Sequence, residues 1–173
     1  LRGAVKALTP AQDPFFLVYV TYAAMSKTVI EWHLQHPEVH LHCFWDQPDR
    51  SFDDTLTFHK VDGAKFLEMM ARCTALVTTA GFESVCEAMY LGKPALMVPA
   101  HYEQTCNALD AQRAGAGVAA EEFDLSLLLD YLPNHVPAQD HFQEWCAQAT
   151  TLFLAHLEEV ALGRRVLEAI SSE

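Results

Sequence analysis

A chain of 173 residues that is 51% hydrophobic carries enough apolar side chain to bury a core as a single domain. Its 23 acidic residues outnumber 11 basic ones, giving a net charge of −12, which argues against nucleic acid as the main partner because a polyanion requires a basic surface. No apolar run reaches membrane-spanning length, and five scattered cysteines without a C-x-x-C pair predict a reduced, cytoplasmic setting without a structural zinc site.

In chain order, residues 1–14 mix charge, proline and glutamine and read as a linker or lead-in strand. Residues 15–20 form a continuous apolar, β-branched and aromatic run, the first predicted core strand. Helix follows over 25–35, with Val29, Ile30 and Trp32 partly buried. Residues 39–45 alternate as a second strand, on which His40 and His42 share a face. That spacing can chelate a metal, but no third ligand stands in frame, so core or surface histidines are the expectation. The acidic stretch 46–54, with Asp53-Asp54, reads as a solvated loop. A short strand over 56–58 and a helix over 64–72 complete the first half, and each cysteine is expected to act as a small buried hydrophobe.

The segment over residues 75–117 organises the rest. Ala75–Thr78 is a buried strand and Gly81 a turn; residues 82–91 form a helix stopped by Gly92 and Pro94, and 95–98 a second strand ended by Pro99. Two strands joined through one helix make a parallel βαβ unit. Gly81 has no Cβ, so a ligand can approach the backbone there. The unpaired amides and dipole of the following helix suit an anion. Ser84 adds a hydroxyl at the same end, and Glu87, three residues on, suits the two hydroxyls of a ribose. Glu103 and Gln104 emerge beyond the next strand, at the carboxyl edge of the sheet where open α/β folds bind ligands. Phosphate, ribose and a further hydroxylated group in a row spell a nucleotide sugar. The competing reading of Ser84-x-x-Glu87 is a capping box that satisfies helix amides and nothing else. Thereafter a helix is expected over 105–114 with Asn107 near its start, a strand over 116–119, a helix at Leu125–Tyr131, and a long amphipathic helix over 139–162 whose stripe of Phe142, Trp145, Cys146, Ala149, Phe153, Leu154 and Leu157 reads as core.

The run Gly81-x-x-Ser84-x-x-Glu87, Gly92-Lys93-Pro94, Pro99, Glu103-Gln104, Asn107 and Gly115-Ala116-Gly117 resembles the C-terminal, donor-binding half of GT-B glycosyltransferases. The similar groups are the UDP-glycosyltransferases and the MurG-type N-acetylglucosaminyltransferases. The resemblance implies an α/β fold, three-layered and doubly wound, with a mostly parallel Rossmann-like sheet of about six strands. It also implies that residues 1–173 form one donor-binding domain, with Gly81 and Ser84 on the diphosphate, Glu87 on the ribose, and Glu103 and Gln104 facing the donor sugar. Main-chain atoms of Val61 would meet the base. Three positions depart from the pattern. Thr79 stands where a histidine is common, Glu83 replaces an asparagine, and Glu103 replaces the commoner aspartate, so a weaker hold on the diphosphate is expected.

The expected activity is inverting glycosyl transfer from a UDP-sugar, with no cofactor, no metal and no catalytic residue in this chain. The base that deprotonates the acceptor belongs to an amino-terminal acceptor domain or separate subunit. A chain opening on Leu1 without that domain is expected to be a fragment, inactive alone. Two alternatives stand beside this one: a UDP-N-acetylglucosamine 2-epimerase-like isomerase fragment, and a non-catalytic binding module with a decayed donor site.

Overall fold

The computed structural model describes residues 1–161; Leu162, the last residue of the expected final helix, lies outside them. Apolar runs too short for helices become strands: β1 (Phe16–Tyr19), β2 (Leu41–Trp45), β4 (Leu56–Lys60), β5 (Ala75–Thr78), β6 (Ala95–Met97) and β7 (Gly117–Ala119). A two-residue strand, β3 (Arg50–Ser51), lies in the stretch expected to be loop. The helices are α1 (Ala23–His33), α2 (Gly63–Arg72), α3 (Phe82–Tyr90), α4 (Tyr102–Arg113), α5 (Leu125–Tyr131) and α6 (Gln139–Ala161), with a 3-10 turn at Gly3–Ala7 where lead-in strand or linker was expected. One sheet runs β3-β4-β2-β1-β5-β6-β7, parallel except for β3 against β4. The sheet grows to one side from β1 through β2, then resumes on the other side with β5. That reversal creates a crevice at the carboxyl ends of β1 and β5.

Side-chain alternation feeds two layers. On one face Phe16, Val18, Cys43, Phe58 and Val77 pack with Met25 and Val29 of α1 and Leu125 and Leu128 of α5. On the other, the Phe66 ring of α2 lies 5.5 Å from Tyr19 and 5.2 Å from Phe44. Each fully buried side chain of this size contributes about 1.5–3 kcal/mol. Local chemistry sets the helix ends. Asp62 caps α2 by accepting from the amides of Ala64 (2.9 Å) and Lys65 (3.0 Å), and Asp124 caps α5 through Ser126. Helix α3 ends in a Schellman turn, with Gly92 at φ +69, its amide on Met89 O and the Lys93 amide on Ala88 O.

The chain divides into two units, Leu1–Gln139 and a second beginning at Asp140. No residue of α6 is buried, and Trp145, Phe153, Leu154 and Leu157 are exposed. The stripe expected as core is therefore not buried among the described residues: Phe142 and Cys146 are half-buried and the other large side chains are exposed. Periodicity reports that a helix has an apolar face and not what covers it. Among the cysteines, Cys43 and Cys73 are buried as expected, and burial pushes the Cys73 thiol up to about 12. Cys106 is exposed, because α4 turns that position to solvent.

His42 pairs across the sheet with His59 rather than sharing a ligand set with His40. Its Nδ1 lies 3.0 Å from His59 Nε2, while Lys65 Nζ lies 3.1 Å from His59 Nδ1. Burial, then Lys65 and His42, pull His59 down to about 4, with Asp49 opposing, and burial lowers His42 as well. The folded state thus holds His59 neutral where the unfolded chain, with an ordinary value near 6.5, binds a proton. Stability is full above the unfolded value and falls as pH drops from there to about 4. His59 is half-buried and still meets solvent, so screening reduces the loss to on the order of 1 kcal/mol. Urea midpoints at pH 7 and pH 5 should show this drop, and His59→Gln should remove most of it.

Candidate functional site

The β5-to-α3 turn is built from an unusual residue. Ala80 adopts φ +62 and is fully buried, a left-handed conformation that non-glycine residues rarely hold outside tight turns and functional sites. Gly81 follows as the N-cap of α3 and has no side chain with which to cap the first-turn amides. Ser84 sits one turn inside. Its hydroxyl donates to Gly81 O (3.1 Å) and lies 3.2 Å from Thr78 Oγ1. A capping box would need Ser84 at the N-cap with Glu87 reaching back to it. The helix instead starts at Phe82, so that reading of the motif fails, and the first-turn amides are left to solvent or a ligand.

Glu87 is one turn further along and faces inward. Its side chain is 0% exposed, and Arg2 of the lead-in grips it. Arg2 Nε donates to Oε1 at 2.7 Å, Nη2 to Oε2 at 2.5 Å, and the Arg2 amide to Oε1 at 3.2 Å. Hydrogen bonding to Glu87 raises the Arg2 pKa further, with burial opposing. Arg2 Nε also lies 3.9 Å from Glu83, the acid in the first turn of α3. The carboxylate expected to be open for a ribose is therefore occupied by a guanidinium fork, a strong bidentate geometry.

Glu103 and Gln104 lie in the first turn of α4, which begins at Tyr102 rather than after them. Glu103 Oε1 accepts from Asn107 Nδ2 at 2.7 Å, one turn along, and Asn107 Nδ2 also lies 3.3 Å from Ala80 O. Gln104 accepts from the Ala100 amide (2.9 Å), and its Nε2 lies 3.4 Å from the buried Thr79 Oγ1. These contacts brace the α4 start against the β5-to-α3 turn, which brings Thr79, Gly81, Gln104 and Asn107 into one neighbourhood.

A cleft of about 300 Å³ opens at the carboxyl ends of β1, β2 and β4 and at the start of α3. Gly81, Ser84 and Val61 line it, with Tyr19, Phe44 and Phe66 as an aromatic floor and Asp62, Glu83 and Arg2 supplying its charges. Val61 is exposed, and its amide is already bonded to Trp45 O (2.9 Å). Glu87 lies behind Arg2, and Glu103 and Gln104 do not line this cleft. The sequence reading missed Arg2, Asp62 and the three aromatic residues. Arg2 sits in a stretch without periodicity, far from the motif it serves, and the rings read as ordinary core.

The model for a family described as glycosyl transferase family 1 matches residues 1–137. No curated protein matches the chain in sequence. Among solved structures, the glycotransferase of kitacinnamycin aligns with a TM-score of 0.64 at 16% identity, over 87% of this chain and 44% of that one. LpCGTa in complex with UDP aligns at 0.57 and 15%, covering 86% and 40%. Spinosyn rhamnosyltransferase SpnG complexed with thymidine diphosphate aligns at 0.54 and 16%, covering 82% and 46%. The chain therefore spans less than half the length of these structures, and at such identities the likeness establishes the GT-B half fold. With the family model covering most of its length, the chain belongs to glycosyl transferase family 1.

Proposed function

We propose that this chain is the donor-binding half of a glycosyltransferase that uses a pyrimidine nucleoside diphosphate sugar, with UDP as the favoured nucleotide. The observation that carries the proposal is the uncapped start of α3, with Gly81 and Ser84, opening on a cleft with an aromatic floor. Two structures of similar fold hold UDP and thymidine diphosphate, which supports a pyrimidine nucleotide. The family match favours transfer over the epimerase alternative.

In this reading the base rests over Tyr19, Phe44 and Phe66 near Val61, and the diphosphate meets the α3 amides and Ser84. Glu87 takes the ribose, while Glu103, Gln104 and Asn107 face the sugar. An acceptor oxygen attacks the anomeric carbon from the side opposite the diphosphate. A carbon–oxygen bond forms, the bond to the leaving phosphate oxygen breaks, and configuration inverts. The acceptor proton passes to a base on an acceptor domain or separate subunit. This chain stabilises the negative charge gathering on the leaving diphosphate through the first-turn amides of α3 and orients the donor. The whole enzyme is cytoplasmic and needs no metal or further cofactor in this scheme, and the chain by itself turns over nothing.

Calorimetric titration with UDP, UDP-GlcNAc and GDP-mannose tests the reading. UDP is expected to bind more tightly than the guanine nucleotide. Ser84→Ala should weaken UDP about tenfold, the value of one hydrogen bond to a charged group, and leave uridine unaffected. Equal weak heats for all three nucleotides, unchanged in the variant, would mean a donor-shaped fold without a donor.

A further inference from the structure

Arg2 lies in the lead-in segment, 85 residues from its partner Glu87, and no motif marks it. Yet among the described residues lining the cleft it is the one basic side chain, where Asp62 and Glu83 are both acidic. Without it, the cleft wall would present two carboxylates to an incoming diphosphate. With it, the carboxylate assigned to the ribose is already taken, because Arg2 donates through Nε and Nη2 to both oxygens of Glu87. A ribose reaches Glu87 only when the guanidinium leaves.

The anchoring of the segment decides how it leaves. Val5, in the turn Gly3–Ala7, is fully buried, and the Arg2 amide itself donates to Glu87 Oε1. The backbone is thus held on the carboxylate independently of the side chain, whose remaining ties are a long 3.5 Å contact to Gly63 O and the 3.9 Å approach to Glu83. The guanidinium is one-third exposed on the cleft side. Rotation about its side-chain bonds frees both carboxylate oxygens from the fork while the amide keeps Glu87 oriented.

Resting on the donor reading above, we propose that Arg2 is a donor-binding residue that exchanges partners, releasing Glu87 to the ribose and turning its guanidinium onto the diphosphate. The exchange conserves pairing: the buried carboxylate trades a charged fork for two hydroxyl donors, and the guanidinium trades a carboxylate for phosphate oxygens of matching geometry. It also offsets Glu83, the acid that stands in the first turn of α3. Discrimination follows from it. A nucleoside lacking phosphates displaces Arg2 without giving it a new partner, so the site favours nucleoside diphosphates over nucleosides by more than the α3 amides supply.

The test compares UDP with uridine by calorimetry on the whole chain, as wild type, Arg2→Gln and Arg2→Lys. Glutamine keeps a neutral donor beside Glu87, and lysine keeps the charge. The expected result is that Arg2→Gln shrinks the preference for UDP over uridine at least about tenfold, the scale of a lost charge-assisted pair, while Arg2→Lys, which keeps the charge and loses the fork, falls between glutamine and wild type. On the wild-type chain, the Arg2 Nε–H resonance should shift on saturation with UDP and far less with uridine, a readout that needs no variant. Equal weakening of both ligands in Arg2→Gln, or an Nε–H signal that UDP leaves in place, would overturn the exchange while leaving the donor site standing. Tighter binding of both ligands would overturn it too, making Arg2 a plain blocker. Absence of saturable UDP binding to the wild type would remove the donor reading and this inference together.

Discussion

Replacing Gly117 by alanine is expected to destabilise the first unit by at least about 3 kcal/mol, the sum of backbone strain and overpacking. Gly117 pairs with Ala95 in the β6–β7 ladder at φ +149. A Cβ there would stand 1.9 Å from Ala95 O, 2.6 Å from its nitrogen and 2.8 Å from its carbonyl carbon. All three are backbone atoms, so no side-chain rotation relieves the overlap. Nor can β6 retreat, because Leu96 and Met97 are paired with Val77 and Thr78 on its other side. The ladder must open, taking Ala119 and the Ala120 amide bond to Met97 O with it. Urea unfolding measures the loss, and Gly3→Ala serves as control, since nothing lies within 4 Å of a Cβ at that position. A Gly117→Ala midpoint equal to wild type would show that β6 and β7 do not approach as described.

The second large effect is expected at Phe44. The side chain is fully buried between the Phe66 ring at 5.2 Å and the His59 ring at 5.1 Å, and it forms part of the cleft floor. Phe44→Ala removes a buried ring and leaves a void that neighbours on paired strands cannot fill, which costs about 3–5 kcal/mol. If the floor carries a nucleobase, UDP affinity should fall as well, and Phe44→Leu should restore most of the stability but less of the affinity. Val61→Ala, at an exposed position on the same cleft, should change the urea midpoint little. A Phe44→Ala protein as stable as wild type would place the ring outside the core.

Much of this architecture was legible beforehand, and for physical reasons. β5 and α5 fall on the predicted residues, and α2 and α3 within one residue at an end, because apolar runs and the Gly92 stop are local signals. What depended on partners far along the chain was not legible. Nothing local distinguishes Arg2 from any surface arginine, and only the fold sets it against Glu87. Asp53 read as a solvated loop residue, yet it accepts from the amides of Thr55 and Leu56 and from His33, which folds the turn into β4. Two-residue β3 has no pattern long enough to read. The α4 boundary was placed late because Tyr102, Glu103 and Gln104 look like loop residues until Gln104 is seen folding back on Ala100.

Helix α3 is bolted to the lead-in at two points, one within the helix and one just past its end. Glu87 holds Arg2, and Lys93, just past the Schellman turn, sends its ammonium to the carbonyl oxygens of Ala11 and Cys73. Trimming the first dozen residues would strand the Glu87 carboxylate in the interior without its guanidinium and leave the Lys93 ammonium with Cys73 O but not Ala11 O. The opening stretch is therefore a structural layer of the domain rather than a tether, and amide exchange in α3 should slow or quicken in step with it.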